Sequence, residues 1–282
     1  MKQYLQDLKY ILENGEERLD RTGTGTVGVF GLQTRYDLRE GFPAVTTKRL
    51  AWRAMLSELL WFIEGSGDER RLAEILHGTR APEKKTIWTA NAEAEYWKPK
   101  AMSEGDLGRV YGVQWRRWTN YLAYHTDQLI QLIEGIKRDP YSRRHILTAW
   151  NPGELDQMAL PPCHIMSQFY VNNRGELSCQ MYQRSADFFL GSPFNIASYS
   201  LLTHMIAQVC GLTVGEFVYT VGDAHIYSNH RAAVLEQLTR EPLALPTLWL
   251  NPTVTDITKF TMEDARLIGY ESHPPITAPM AV

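Results

Sequence analysis

The sequence predicts an α+β fold: a single domain over residues 1–282, with a mixed or antiparallel sheet packed with helices. Three observations carry that expectation. Helix-like and strand-like segments follow one another irregularly, without the strand–helix–strand rhythm of a doubly wound sheet. One antiparallel hairpin is explicit, because Ile165–Val171 and Leu177–Tyr182 each alternate, and Asn172-Asn173-Arg174-Gly175 between them is turn chemistry. No repeat, low-complexity tract or linker-like break divides the chain, and 44% hydrophobic residues suffice for a substantial core. The alternative is two domains divided near residue 140.

At the N-terminus Tyr4, Leu5, Leu8, Ile11 and Leu12 recur at helical spacing, with Gly15 as a stop. Gly23-Thr24-Gly25-Thr26-Val27-Gly28 matches the dinucleotide pattern G-x-G-x-x-G, but that fingerprint needs a strand before it and a helix after it. Here a helix precedes and the strand-like Val27–Phe30 follows, so the pattern predicts a tight turn presenting Arg21 to a phosphate or to solvent. Arg53–Ile63 predicts a second helix, apolar through Met55, Leu56, Leu59, Leu60 and Ile63 and ending near Gly65. Lys84–Met102 scatters Trp88, Tyr96 and Trp97 among polar residues and Pro99, which predicts a loop or small insertion lining a pocket. Gly108–Trp115 reads as mixed turn and strand.

Thr126–Arg138 is an amphipathic helix through Leu129, Ile130, Leu132, Ile133 and Ile136, stopped by Asp139-Pro140. Ser142-Arg143-Arg144 then opens a strand over His145–Trp150. After the hairpin, Asn195–Cys210 predicts a long, mostly buried helix closed by Gly211, and Glu216–Val221 a strand. Gly222–His230 leads into a helix running to about Leu238. Pro242, Pro246 and Pro252, a short apolar stretch at Thr247–Leu250 and a proline-rich tail make up the remainder.

Composition narrows the function. A net charge of −3 argues against a nucleic-acid scaffold, though arginine clusters could hold one small phosphate. Three cysteines, Cys163, Cys179 and Cys210, cannot all pair within the chain, which points to a reducing compartment. Met1–Asp7 lacks the apolar core of a signal peptide. The most apolar run, Leu56–Ile63, is interrupted by Ser57 and Glu58, far short of the roughly 20 residues a membrane span needs. A soluble, cytoplasmic protein is expected.

The chemistry centres on Leu160-Pro161-Pro162-Cys163-His164 and Gln183-Arg184-Ser185-Ala186-Asp187. The hairpin would return Arg184 beside Cys163, and a neighbouring cation favours the thiolate, the nucleophilic form. The alternative for a lone cysteine is a small buried hydrophobe. His164 follows directly, but adjacent side chains on an extended strand face opposite ways, so it makes a poor base and a cysteine protease is disfavoured. A serine hydrolase lacks its G-x-S-x-G elbow. No metal site is evident, since His225 and His230 lack ligating companions at the required spacing. Glu58 within an apolar helix is costly unless it is partnered or functional. Arg143 and Arg144 suit either surface charge or an anion, and His225 and Tyr227, two apart, share a face if extended.

Pro161-Pro162-Cys163-His164, Tyr182-Gln183-Arg184-Ser185 and Phe189–Asn195 together resemble the thymidylate synthase family, and the resemblance runs from Asp20–Thr26 to Met280-Ala281-Val282. It implies a homodimeric enzyme that transfers and reduces a one-carbon unit from 5,10-methylenetetrahydrofolate to C5 of dUMP, giving dTMP and dihydrofolate without a metal. C5 of uracil is a feeble nucleophile, and adding a thiolate at C6 makes it an enolate carbon. By resemblance Cys163 is that nucleophile, activated by Arg184, and Asn195 pairs with the N3–H and O4 edge of the base. A carboxylate in its place would suit cytosine instead. Arg21, Arg184 and Ser185 resemble phosphate ligands, and Arg143 and Arg144 a pair donated across the dimer. His225 and Tyr227 resemble the groups that hold the ribose. Glu58 and Tyr111 resemble a proton-transfer network, Trp88 and Asp187 folate contacts (Asp187 also standing on the substrate side), and Ala281-Val282 a closing tail.

The folate side departs from the family pattern. Thr89-Ala90-Asn91 stand where many members carry an acidic residue and a second tryptophan, Ser192 replaces a usual leucine, Leu50-Ala51 occupy an often polar position, and Thr277 replaces a common lysine. An intact nucleotide side beside an altered folate side leaves open a deoxyuridylate hydroxymethylase, in which water rather than hydride captures the methylene, giving 5-hydroxymethyl-dUMP and tetrahydrofolate. A catalytically silent nucleotide- or RNA-binding protein is the third alternative, opposed by the presence of Cys163, Glu58 and Asn195.

Overall fold

A computed structural model describes residues 1–19 and 23–280. In chain order the elements are helix α1 (Lys2–Asn14), strands β1 (Glu16–Arg18) and β2 (Thr26–Asp37), then helices α2 (Trp52–Glu64), α3 (Glu69–His77), α4 (Thr89–Ala92) and α5 (Tyr111–Arg116). A small hairpin, β3 (Trp118–Thr119) and β4 (His125–Thr126), precedes helix α6 (Gln128–Arg138) and strand β5 (Ile146–Thr148). Strands β6 (His164–Val171) and β7 (Glu176–Asp187), helix α7 (Gly191–Cys210), strand β8 (Thr213–Tyr227) and helix α8 (Arg231–Leu238) follow, and strands β9 (Thr247–Leu250) and β10 (Ala265–Ile268) close the set.

Six strands form one mixed sheet in the order β1-β2-β8-β7-β6-β5, so the expected α+β class is what forms. Only β7 and β8 run parallel; the other neighbours are antiparallel. Parallel neighbours need a long crossover, and the twenty-residue α7 supplies it. The expected hairpin joins β6 to β7. Asn172 Oδ1 accepts from the backbone N–H groups of Arg174 and Glu176 at 2.9 and 3.1 Å, and Gly175 takes the φ of 72° that the turn requires.

The core lies between one face of this sheet and helices α1, α2 and α7. Helix α1 packs on β2, and α7 on β7 and β8. Trp61, Phe62, Phe188, Phe189 and Phe217 are fully buried there, each worth roughly 1.5–3 kcal/mol over an exposed position. The opposite face carries exposed Met166, Gln168, Tyr170 and Gln180.

The G-x-G-x-x-G segment runs into β2 rather than into a helix, as the rejection of a dinucleotide loop requires. One reading is overturned: Gly108–Trp115, expected as mixed turn and strand, carries most of helix α5 (Tyr111–Arg116). The cause is tertiary. Gly112 lies so close to α2 that an added Cβ would meet the Phe62 carbonyl oxygen at 2.5 Å, and only a coiled backbone with a bare glycine permits that approach. Strands β2, β7 and β8 also extend beyond their legible cores, β8 to Tyr227. Among the described residues no helix is long and apolar enough to cross a membrane.

Candidate active site

A cleft of about 430 Å³ opens where the start of β6, the end of β7, the first turn of α7 and helices α2 and α5 converge. Cys163 lines it at the entry to β6. Pro161 and Pro162 cannot donate to a ladder, and their carbonyls are taken instead by Arg184, with Nη2 to Pro161 O at 2.9 Å and Nε to Pro162 O at 2.8 Å. The Arg184 backbone N–H adds a bond to Cys163 O at 2.8 Å, and its Nη2 lies 3.9 Å from Cys163 Sγ. The hairpin thus delivers a guanidinium fixed by two backbone carbonyls beside the sulfur, the environment that favours a reactive thiolate.

His164 turns the other way. It is buried, its Nδ1 lies 2.8 Å from Tyr199 Oη, and its ring stacks on Tyr111 with centroids 4.2 Å apart. Burial pushes its pKa down to about 3, so it stays neutral and structural. Tyr111 Oη accepts from the Cys163 backbone N–H at 2.7 Å. Burial, reinforced by the nearby Cys163, raises the Tyr111 pKa well above the usual phenol range, so its own proton stays available to a ligand or a water.

Glu58 projects from α2 into the cleft and accepts from Trp88 Nε1 at 2.7 Å. Burial outweighs that bond and lifts its pKa from 4.5 to about 7, a value that suits a group exchanging protons near neutrality. A carboxyl whose folded pKa lies above its unfolded one destabilises the fold when it ionises. The cost is small near pH 5, grows with pH and is complete above 7. Glu58→Gln is therefore expected to be more stable than the parent at pH 8 by roughly 2–3 kcal/mol, with the gain shrinking to about 1 kcal/mol by pH 5. Thermal melts across that range check the trend, and a constant or reversed difference would refute it.

The far wall comes from β7, α7 and β8. Asn195, the fifth residue of α7, faces the cleft, and its amide makes no hydrogen bond to a described residue, so both its donor and its acceptor are open. Ser185 lines the same wall. Asp187 Oδ1 accepts from the backbone N–H groups of Phe189 and Leu190, both at 3.0 Å, so this carboxylate also shapes the turn that launches α7. His225 Nδ1 lies 2.9 Å from Asp223 Oδ1. The Asp223 carboxyl is held below its usual range by that contact, and a carboxylate only accepts, so the ring proton sits on Nδ1 and Nε2 is left as an acceptor. Tyr227 packs edge-on to His225 with centroids 5.2 Å apart and lines the cleft beside it.

Cys163, Glu58, Tyr111, Trp88, Ser185, Asp187, Asn195 and Tyr227 thus surround one cavity, with Arg184 behind the sulfur and His225 behind Tyr227. Arg143 and Arg144 are not brought to it. They are exposed ahead of β5, the edge strand, and Arg144 lines a separate surface hollow. Arg21, Ala281 and Val282 lie outside the described residues.

The departures from the family pattern also separate. Thr89 is buried and donates to the buried Glu69 carboxylate at 2.6 Å. Ser192 is buried against the Tyr219 hydroxyl at 3.1 Å, and Tyr219 donates in turn to Gln183 Oε1 at 2.9 Å. Only Asn91 faces the cleft.

Sequence reasoning missed Asp223 as the partner of His225. It also missed Lys48, whose Nζ donates to Phe189 O at 2.5 Å and whose pKa burial pushes down to about 7. Asp223 sat unassigned two residues before His225, the spacing at which strand residues share a face, and that was the available signal. Lys48 carried none. Among the described residues no group of three His, Cys, Asp or Glu could hold a metal ion. Aromatic and apolar walls with a few convergent polar groups are the character of a small-molecule site. The thymidylate synthase family profile matches residues 2–282. With essentially its whole length matched, the chain belongs to the thymidylate synthase family.

Proposed function

We propose that this chain is a thymidylate synthase in the strict sense, converting dUMP and 5,10-methylenetetrahydrofolate to dTMP and dihydrofolate. Membership of the family makes it a folate-dependent one-carbon transferase of nucleotide biosynthesis; the reductive outcome and the residue roles are this proposal. The observation that carries it is Cys163, clamped beside Arg184 and sharing one cleft with the open amide of Asn195.

Cys163 Sγ bonds to C6, the C5–C6 pair shifts toward O4, and the Asn195 amide steadies the charge there as a fixed donor. Glu58, near its own pKa, and Tyr111, still protonated, relay protons, including the one that leaves C5. C5 of the adduct bonds to the one-carbon unit. Loss of the C5 proton then breaks the bond from that carbon to the folate nitrogen and leaves an exocyclic methylene on the ring, and hydride addition to that methylene restores the C5–C6 double bond as the sulfur departs. The folate supplies the carbon and the hydride, and in this reading Trp88 and Asp187, which both line the cleft, are its contacts. Ser185 and Arg184, with Arg21, hold the phosphate, and Tyr227 with Nε2 of His225 holds the ribose. Ala281 and Val282 close over the folate.

One catalytic domain spans the chain, and two copies pair through the exposed sheet face of Met166, Gln168 and Tyr170, sending Arg143 and Arg144 into each other's phosphate sites. That bare face and the position of both arginines beside it support the pairing. The odd count of three cysteines supports a reducing, cytoplasmic setting.

A hydroxymethylase is the second reading, favoured by one observation: the Asn91 amide in the cleft could hold a water near the methylene. Incubating the enzyme with both substrates and identifying both products separates the readings. Dihydrofolate with dTMP is expected; tetrahydrofolate with 5-hydroxymethyl-dUMP would overturn the proposal in favour of the second reading. Binding of dUMP without either product would favour a silent binder.

A further inference from the structure

The end of the chain is a strap that cannot hold itself in a ladder. His273-Pro274-Pro275-Ile276-Thr277-Ala278-Pro279-Met280 contains three prolines, so much of its backbone can only accept. Hydrogen bonds hold it at His273 (which also meets Glu241 O through Nε2 at 2.9 Å), Pro274 and Pro279, and Ile276 and Ala278 pack against the core. The His273 N–H donates to Thr46 O at 2.8 Å, Arg240 Nη1 donates to Pro274 O at 2.6 Å, and His230 Nε2 donates to Pro279 O at 2.7 Å. The last pin differs from the others in its setting. His230 is fully buried at the head of α8, packs against Phe189 and Tyr227 with centroids 5.4 and 5.5 Å apart, and has Nδ1 3.7 Å from Asp187 Oδ1. Tyr227 and Asp187 line the cleft, as does Met280, the residue directly after the pinned carbonyl.

We propose that His230 is a positioning residue that latches the C-terminal strap at Pro279 and so sets Met280 against the mouth of the cleft. The carbonyl only accepts, so the latch needs a proton on Nε2, and the ring is held in place by Asp187, Phe189 and Tyr227. Arg240 secures the strap further back and does not substitute for it, because four residues lie between Pro274 and Pro279. The proposal rests on the cleft admitting folate beside dUMP.

The test uses the full-length enzyme and three variants. His230→Ala removes the donor, His230→Phe fills the space without a donor should the alanine variant fail to fold, and His230→Gln restores an N–H near the position of Nε2. Loss of one ordinary hydrogen bond from the latched state corresponds to about tenfold. In the donor-less variants the KM for methylenetetrahydrofolate is expected to rise by about that factor, with dUMP affinity changed less than about twofold, and His230→Gln recovers most of the loss. Independently of activity, carboxypeptidase Y should release Met280 faster from the donor-less variants than from the parent or His230→Gln. Equal losses for dUMP and folate, a glutamine variant no better than phenylalanine, or unchanged release of Met280 would each overturn the latch. Faster release in an enzyme whose parent never turns over would uphold the latch and sink the functional reading instead.

Discussion

Cys163→Ala is expected to lower turnover by on the order of 10⁴-fold or more, while dUMP still binds. Removing a covalent nucleophile leaves only binding and electrostatic help, and C5 of uracil is too poor a nucleophile to proceed without the addition at C6. The groups proposed to hold dUMP are independent of the sulfur, since Ser185, Asn195 and Tyr227 line other walls of the cleft. Arg184 keeps its bonds to Pro161 O and Pro162 O in the variant, so the hairpin stays in place. Single-turnover product formation and equilibrium dialysis with dUMP read the two quantities separately. An alanine variant within a hundredfold of the parent would remove Cys163 from the chemistry. Equal loss of binding and turnover would mean that the sulfur is structural.

Asn195→Asp is expected to cost dUMP about 10³- to 10⁴-fold in kcat/KM and to improve dCMP relative to dUMP. A site built to hydrogen-bond a substrate edge rejects mismatched edges by large factors, because its own polar groups are left unpaired. Uracil presents an N3–H donor beside an O4 acceptor, and an amide answers both. An ionised carboxylate has no donor for O4 but can accept from the amino group of cytosine. Because the side chain stands near the start of α7 and makes no bond to a described residue, the exchange alters the edge offered to the base without unmaking a structural contact. Competition between dUMP and dCMP measures it. A variant that keeps dUMP within tenfold of the parent would take Asn195 off the base.

How much of this was legible follows from what period and spacing can encode. The turn and flanking alternation of the β6–β7 hairpin were legible from Ile165 to Tyr182, whereas the run of β7 on to Asp187 and the register shift between His164 and Met166, close to where Arg184 meets Cys163, were not. Helix α5 was misread because six residues are too few to show a helical period and Gly112 answers to Phe62 rather than to its neighbours in sequence. Helix α3 was not anticipated, although Asp68 caps it with a bond from the Arg70 N–H at 2.9 Å. Thr89 and Ser192 looked like altered cleft residues, yet both face inward, toward Glu69 and Tyr219. Side-chain direction at the first turn of a helix depends on where the helix begins, and α7 begins four residues before its legible start.

The pairing of β2 with β8 sets a timetable for biosynthesis. Thr26 faces Tyr227 and Asp37 faces Glu216, so the second strand made in the sheet must pair with the last. At about 5–20 residues per second on the ribosome, Thr26 waits roughly 10–40 s for its partner to be synthesised. Until then a twelve-residue strand has only the three residues of β1 beside it, and its other edge lies open to neighbouring nascent chains. Expression at low temperature, which lengthens that wait, would tax this protein more than one whose sheet closes in order of synthesis.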